Sequence, residues 1–164
     1  MYLNRPRQSG FTIVELLIVI VVIGILAAIT IVAYNGVQNR ANDIAIQNDL
    51  AQLSKKLEMY KVDSSTGTYP TNTAAALTPI GIALSKSAYT TTTNNFIYCV
   101  KGTSLDQYGV VGVSKSGKAF MISSISPKVA EYPSPPISTG NTVCPDLGIT
   151  STPWWLWGYA WANG

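Results

Sequence analysis

The sequence predicts an α+β fold: a long N-terminal helix, membrane-spanning over its first half, packed on a small antiparallel β-sheet. Three observations carry that expectation. An apolar run of bilayer length occupies residues 11–34, and apolar residues then recur at helical spacing to about residue 62. Three short strand-like runs separated by turn residues follow.

Between positions 16 and 33 the one polar residue is Thr30, and no charge occurs. As a helix, residues 11–34 would extend about 36 Å, enough to cross a hydrocarbon core. A secretory signal peptide has an apolar region of only ~7–15 residues, ended by a small-residue cleavage site and polar sequence. Here the run is longer and leads into a further helical pattern, so it is expected to be retained. Arg5 and Arg7 precede it, whereas the first basic residue beyond it is Arg40. That bias places residues 1–10 in the cytoplasm and the bulk of the chain outside.

After the run, Tyr34, Val37, Ala41 and Ile44, then Leu50, Leu53, Leu57 and Tyr60, recur at three- and four-residue steps, with Asn42, Asp43, Lys55 and Lys56 between them. No proline interrupts residues 11–69. One helix over 11–62, on the order of 75–80 Å long, is the simplest outcome. Asp63-Ser64-Ser65-Thr66-Gly67 ends it. Asn72 is expected to cap a short turn through residues 73–77, stopped by Pro79. Residues 95–101, 108–114 and 119–124 read as strands of an antiparallel meander, with Lys115-Ser116-Gly117 as a turn, packed on the helix stripe at 50–60. The proline- and serine-rich residues 131–142 read as a surface loop.

Composition narrows the chemistry. Of 164 residues, 47% are apolar and 12% charged, for a net charge of +3. Arg5 and Arg7 supply two of the eleven basic residues, and the remaining nine face eight acidic ones. A balance so near neutral does not by itself imply a nucleic-acid partner. Histidine is absent, which removes the commonest general base near neutral pH and the commonest metal ligand. Cys99 and Cys144 are too few for a zinc site. Outside the cytoplasm they are expected to form a disulfide, worth roughly 3–4 kcal/mol on the chain-entropy model. No metal, cofactor or catalytic residue is expected: Asp106 and Asp146 fall short of the roughly 6–8 oxygen ligands that calcium takes.

Glu15 breaks the pattern, because an ionised side chain within a bilayer helix is costly. Taken alone, it reads as a carboxylate snorkelling at the cytoplasmic interface, where it also favours the positive end of the helix dipole. Its surroundings read Gly10-Phe11-Thr12-Ile13-Val14-Glu15-Leu16-Leu17, directly after a short basic stretch. This resembles the class III leader of type IV pilins and of the pseudopilins of type II secretion. The resemblance is close through residue 34, holds in outline to Tyr69-Pro70, and is only architectural beyond. It implies cleavage between Gly10 and Phe11 by a prepilin peptidase and N-methylation of Phe11. It also implies an assembly role for Glu15, which attracts the N-terminal amine of a neighbouring subunit. The implied organisation is a leader over residues 1–10, a helix over 11–62 whose part 11–34 is transmembrane and then filament core, and an extracytoplasmic head over 63–164 with a disulfide-bounded C-terminal region. Gly24 matches a common family glycine, whereas Val32 stands where many type IV pilins have proline, so a more continuous helix is expected.

The tail reads Pro153-Trp154-Trp155-Leu156-Trp157-Gly158-Tyr159-Ala160-Trp161. As a strand, Trp155, Trp157, Tyr159 and Trp161 would share one face. That face is expected to finish the core as an edge strand or to contact another subunit; a stacking platform for sugar or single-stranded nucleic acid is the rival. Lys101, Lys115 and Lys118 are weighed as phosphate contacts and expected to be merely solvated. The expected function is that of a structural, non-enzymatic subunit of a type IV pilus, held in the cytoplasmic membrane before assembly and in a surface filament after it. Its partners would be further copies of itself, the prepilin peptidase and the pilus assembly platform. The alternatives are a pseudopilin of a type II secretion or DNA-uptake machine, and a minor tip subunit that binds sugar or DNA through the aromatic tail.

Overall fold

Helix α1 (Ile13–Asp63) comes first, followed by helix α2 (Ala74–Leu77), strands β1 (Phe96–Lys101), β2 (Tyr108–Val113), β3 (Ala119–Ser123) and β4 (Ala130–Tyr132), helix α3 (Gly140–Asp146) and strand β5 (Trp154–Gly158). The fold is α+β. The computed structural model describes residues 10–71, 74–81, 84–91, 94–133, 135, 137, 140–150 and 154–158. Contacts divide the chain into two units, Met1–Gln38 and Asn39–Gly164.

Within the second unit, α1 buries Ile46, Leu50, Leu53 and Leu57, the three- and four-residue spacing that puts side chains on one face of a helix. The helix ends where its backbone finds other partners. Ser64 N–H still donates to Tyr60 O at 2.9 Å, but the Ser64 hydroxyl then accepts from Thr68 N–H at 3.0 Å. Gly67 follows at a φ of +64°, a conformation that favours glycine. The expected cap at Asn72 lies outside the described residues. As expected, α2 ends at Leu77, before Pro79, and the chain then makes a 3₁₀ turn over Thr78–Ile80.

The sheet has five strands in the order β4-β3-β2-β1-β5, and every adjacent pair is antiparallel. β1 to β3 form the expected meander, with Gly117 at a φ of +90° in the β2–β3 turn. Beyond the meander the sequence offered one more strand, an edge strand in the Trp-rich tail, and the structure has two. Of the two further ones, β4 extends the meander at one end, while β5 returns beside β1 with Tyr98 opposite Trp157 and Val100 opposite Trp155.

Alternation along these strands builds two cores rather than one. Phe96, Tyr98, Val100, Tyr108, Val110, Phe120 and Ile122 pack with Ile46, Leu50, Leu53 and Leu57 of α1. The intervening residues Ile97, Cys99, Val111, Val113 and Ala119 pack with Tyr132, Ile137, Val143, Cys144, Leu147 and Ile149. Residues 131–142 are therefore not simply a surface loop. They contain the end of β4 and the start of α3, and the buried Tyr132 and Ile137 pin them to the sheet. β2 carries a glycine for each core. A Cβ on Gly112 would lie 3.0 Å from the Tyr89 ring and 3.1 Å from Ile46, and one on Gly109 would lie 2.7 Å from Leu147.

Buried polar groups mostly find partners, as the cost of desolvation requires. Ser54 and Tyr108 share a hydroxyl–hydroxyl hydrogen bond of 2.7 Å between α1 and β2. Tyr98 donates to Pro70 O at 2.9 Å. Asp49, buried on α1, accepts from Ser85 N–H at 2.7 Å and from its hydroxyl at 3.1 Å. Burial raises the Tyr98 and Tyr108 hydroxyls above the ordinary tyrosine range.

Candidate functional site

The N-terminal unit has the composition of a membrane span and, among its described residues, no core of its own. Its most apolar stretch reaches a mean hydropathy of 3.3 with none of it buried. Each residue from 10 to 38 is exposed, and apolar side chains point out all round the helix. A helix with that surface needs lipid or protein around it. Its few polar groups are satisfied locally. Thr30 donates its hydroxyl to Ala27 O at 2.9 Å, which suits an apolar medium. At the far end of the run, Gln38 donates to the Tyr34 hydroxyl at 2.6 Å, a pairing suited to the interface where tyrosine collects.

Residues 10–12 lie outside the helix, and Phe11 is 88% exposed. A peptidase requires an accessible, non-helical bond of this kind, so the Gly10–Phe11 link is sterically open. Glu15 sits one turn in and folds back on the chain. Its Oε2 accepts from Thr12 N–H and from the Thr12 hydroxyl, both at 2.8 Å, while Glu15 N–H donates to Thr12 Oγ1 at 3.2 Å. This reciprocal pair is a capping box, which satisfies two of the N–H groups that every helix start leaves open. Thr12, the partner of Glu15, was not singled out in the sequence. Its signal was present as Thr12-Ile13-Val14-Glu15, the Thr-x-x-Glu spacing of a capping box.

In the second unit, Cys99 on β1 and Cys144 on α3 are joined by a disulfide, with Cα atoms 5.7 Å apart and both residues fully buried. The backbone of Trp154–Gly158 forms the edge strand β5. That brings Trp155 and Trp157 into register beside β1, whereas Tyr159 and Trp161 lie outside the described residues. Two of the three lysines weighed as phosphate contacts have carboxylate partners: Lys101 with Asp106 at 3.5 Å, and Lys118 with Glu131 at 3.0 Å. The Ser104 hydroxyl, then the backbone N–H of Asp106 itself and the Lys101 ammonium, hold the Asp106 carboxyl below its ordinary range.

Asp146 accepts from the Tyr132 hydroxyl at 2.7 Å. It lines a cavity of about 240 Å³ together with Met121, Ile125, Lys128 and Leu147. Among the described residues, no group of three or more His, Cys, Asp or Glu is placed to hold a metal ion. The residues singled out at the N-terminus thus form an exposed Gly10–Phe11 link, a capped carboxylate and an exposed apolar helix.

Comparison with known proteins points to the same segment. Residues 5–31 match the model of the prokaryotic N-terminal methylation motif. The chain is 38% identical over 69 residues to the type II secretion system core protein G of Aeromonas hydrophila, covering 42% of this chain and 47% of that one. It is 32% identical over 91 residues to the core protein G of Escherichia coli, covering 51% and 61%. It is 41% identical over 71 residues to the type IV wide pilus major component PilA4 of Thermus thermophilus, covering 43% and 53%. The chain spans about half the length of the curated relatives it matches. No solved structure matches it.

Proposed function

We propose that this chain, a member of the type IV pilin and type II secretion pseudopilin family, is a structural subunit of a type IV pilus that assembles through its N-terminal helix. In this reading residues 1–10 are a cytoplasmic leader, removed when a prepilin peptidase cuts after Gly10 and methylates the new amine of Phe11. Residues 11–34 hold the precursor in the cytoplasmic membrane, with the head, residues 63–164, outside. No step calls for a catalytic residue. On assembly, the apolar run exchanges lipid for neighbouring helices, so little apolar area meets water.

One observation carries the proposal. A carboxylate sits four residues beyond the exposed Phe11, at the start of a helix whose apolar side chains are exposed among the described residues. Apolar helix sides slide past one another easily, whereas a charge pair sets register. The methylated ammonium of one copy and Glu15 of the next supply such a pair, and each relieves the other's burial. Until then, the Thr12 cap gives Glu15 hydrogen bonds within its own chain. The test is Glu15→Ala expressed with the processing machinery. Normal cleavage at Gly10 with loss of sheared filaments is the expected result, and wild-type filament yield would refute the pairing.

The second reading is a pseudopilin of type II secretion, favoured by the relatives named core protein G. Both readings share the mechanism above. Long sheared surface fibres rich in this chain favour the pilus, and their absence together with loss of protein export on deletion favours the pseudopilus.

A further inference from the structure

We propose that the cavity between the β3–β4 turn and the end of α3 binds a small zwitterion with an aliphatic side chain, of the size of leucine. The cavity lies wholly within the second unit, so the inference is independent of how subunits assemble.

Both walls are fixed before any ligand arrives. On one side, Ser123 N–H donates to Ser126 O at 3.1 Å, and Ser126 N–H donates to Ser123 Oγ at 3.0 Å. These bonds hold the turn that carries Ile125 and Lys128. On the other side α3 closes in a Schellman motif, with Ile149 N–H donating to Cys144 O at 3.0 Å and Gly148 N–H to Pro145 O at 2.9 Å. Gly148 takes a φ of +82°, and a Cβ there would lie 2.9 Å from Ile125. A glycine at this place therefore lets the turn pack on the end of α3. The disulfide through Cys144, two residues before Asp146, ties that end to β1. A site with walls already in place loses little freedom on binding.

Size and charge choose the ligand. The cavity holds about 240 Å³. Benzene fills an apolar cavity of about 150 Å³, so in proportion this one admits about ten heavy atoms, close to the size of leucine. Met121, Ile125, Ala130 and Leu147 supply apolar lining, and Lys128 and Asp146 are its two charged residues, both exposed. Among the described residues neither of the two forms an ion pair, with the other or with a third group; Glu131, beside Ala130, is balanced by Lys118 at 3.0 Å. Asp146 uses Oδ2 to accept from the Tyr132 hydroxyl, which leaves Oδ1 for another donor. One positive and one negative charge make the lining neutral, so neither a simple anion nor a simple cation is favoured. A carboxylate for Lys128, an ammonium for Asp146 and an aliphatic side chain for the interior satisfy all three parts.

The test follows the methyl resonances of Met121 and Ile125 as leucine is added to the full chain in phosphatidylcholine nanodiscs. Saturable shifts with a dissociation constant of about 1 mM or tighter are expected. Leucine should bind about fivefold more tightly than 4-methylpentanoate or 3-methylbutylamine, each of which lacks one of its charges. Lys128→Gln should weaken leucine about fivefold and leave 3-methylbutylamine unchanged. Asp146→Asn, which can still accept from Tyr132, should weaken leucine equally and leave 4-methylpentanoate unchanged. Ala130→Leu should fill the cavity and abolish the shifts. No shift at about 20 mM leucine would overturn the inference. Equal affinity for leucine and 4-methylpentanoate would overturn the zwitterion, and tighter binding of N-acetyl-leucine amide would overturn it in favour of a segment of another protein chain.

Discussion

Replacing Cys99 and Cys144 together by alanine should lower the melting temperature of the head by about 15 °C. Their bridge spans a sequence separation of 45 residues between β1 and α3. On the chain-entropy model, a loop of that length removes about 13 cal/mol/K from the unfolded chain, or about 4 kcal/mol at 25 °C. The unit Asn39–Gly164 holds about 126 residues. At about 2.1 cal/mol/K each, its unfolding entropy is about 0.26 kcal/mol/K, which converts the lost 4 kcal/mol into the stated shift. Near-ultraviolet circular dichroism melts of the detergent-solubilised full chain would measure it. Wild-type protein melted with reductant should fall to the value of the double variant. A drop below about 3 °C would refute the reasoning, because packing of Ile137, Val143, Leu147 and Ile149 would then hold the C-terminal segment without the bridge.

Three further predictions follow from particular contacts. Thr12→Val removes the hydroxyl that both donates to and accepts from Glu15, so amide exchange at residues 13–16 should rise about fivefold, the usual worth of a cap, in processed protein held in micelles. Gly109→Ala should destabilise the head by about 1–3 kcal/mol in denaturant titration, since its Cβ would press on Leu147 at 2.7 Å. Burial, and then the Asp146 carboxylate that its hydroxyl contacts, push the Tyr132 hydroxyl up to about 12. Above the ordinary tyrosine value near 10 the unfolded chain loses that proton first, so stability should fall as pH rises from about 10 to 12 and level off beyond. Urea midpoints across that range should fall less steeply for Tyr132→Phe.

The parts of the fold that follow a period were legible in the sequence. Leu50, Leu53 and Leu57 mark the buried stripe of α1, and β1 to β3 alternate between the two cores. The second core was not legible. Tyr132, Ile137, Val143, Leu147 and Ile149 are spaced irregularly among prolines, and no periodic pattern tells such residues from a loop. What buries them is tertiary: the face of the sheet that α1 does not cover. The place of β5 beside β1, across β1 from the meander, was hidden for a related reason, since strand order depends on which edge remains open. At the candidate site, Gly10, Phe11 and Glu15 stood out by motif and by a charge in apolar surroundings. Thr12 carried a signal of its own, the Thr-x-x-Glu spacing to Glu15, but with neither a charge nor a place at the Gly10–Phe11 bond it did not stand out.

Mass spectrometry of sheared surface filaments tests the central claim most directly. The account predicts an abundant chain that begins at N-methylated Phe11 and carries an oxidised Cys99–Cys144 pair. Filaments whose copies of this chain retain Met1, or begin beyond Glu15, would contradict it.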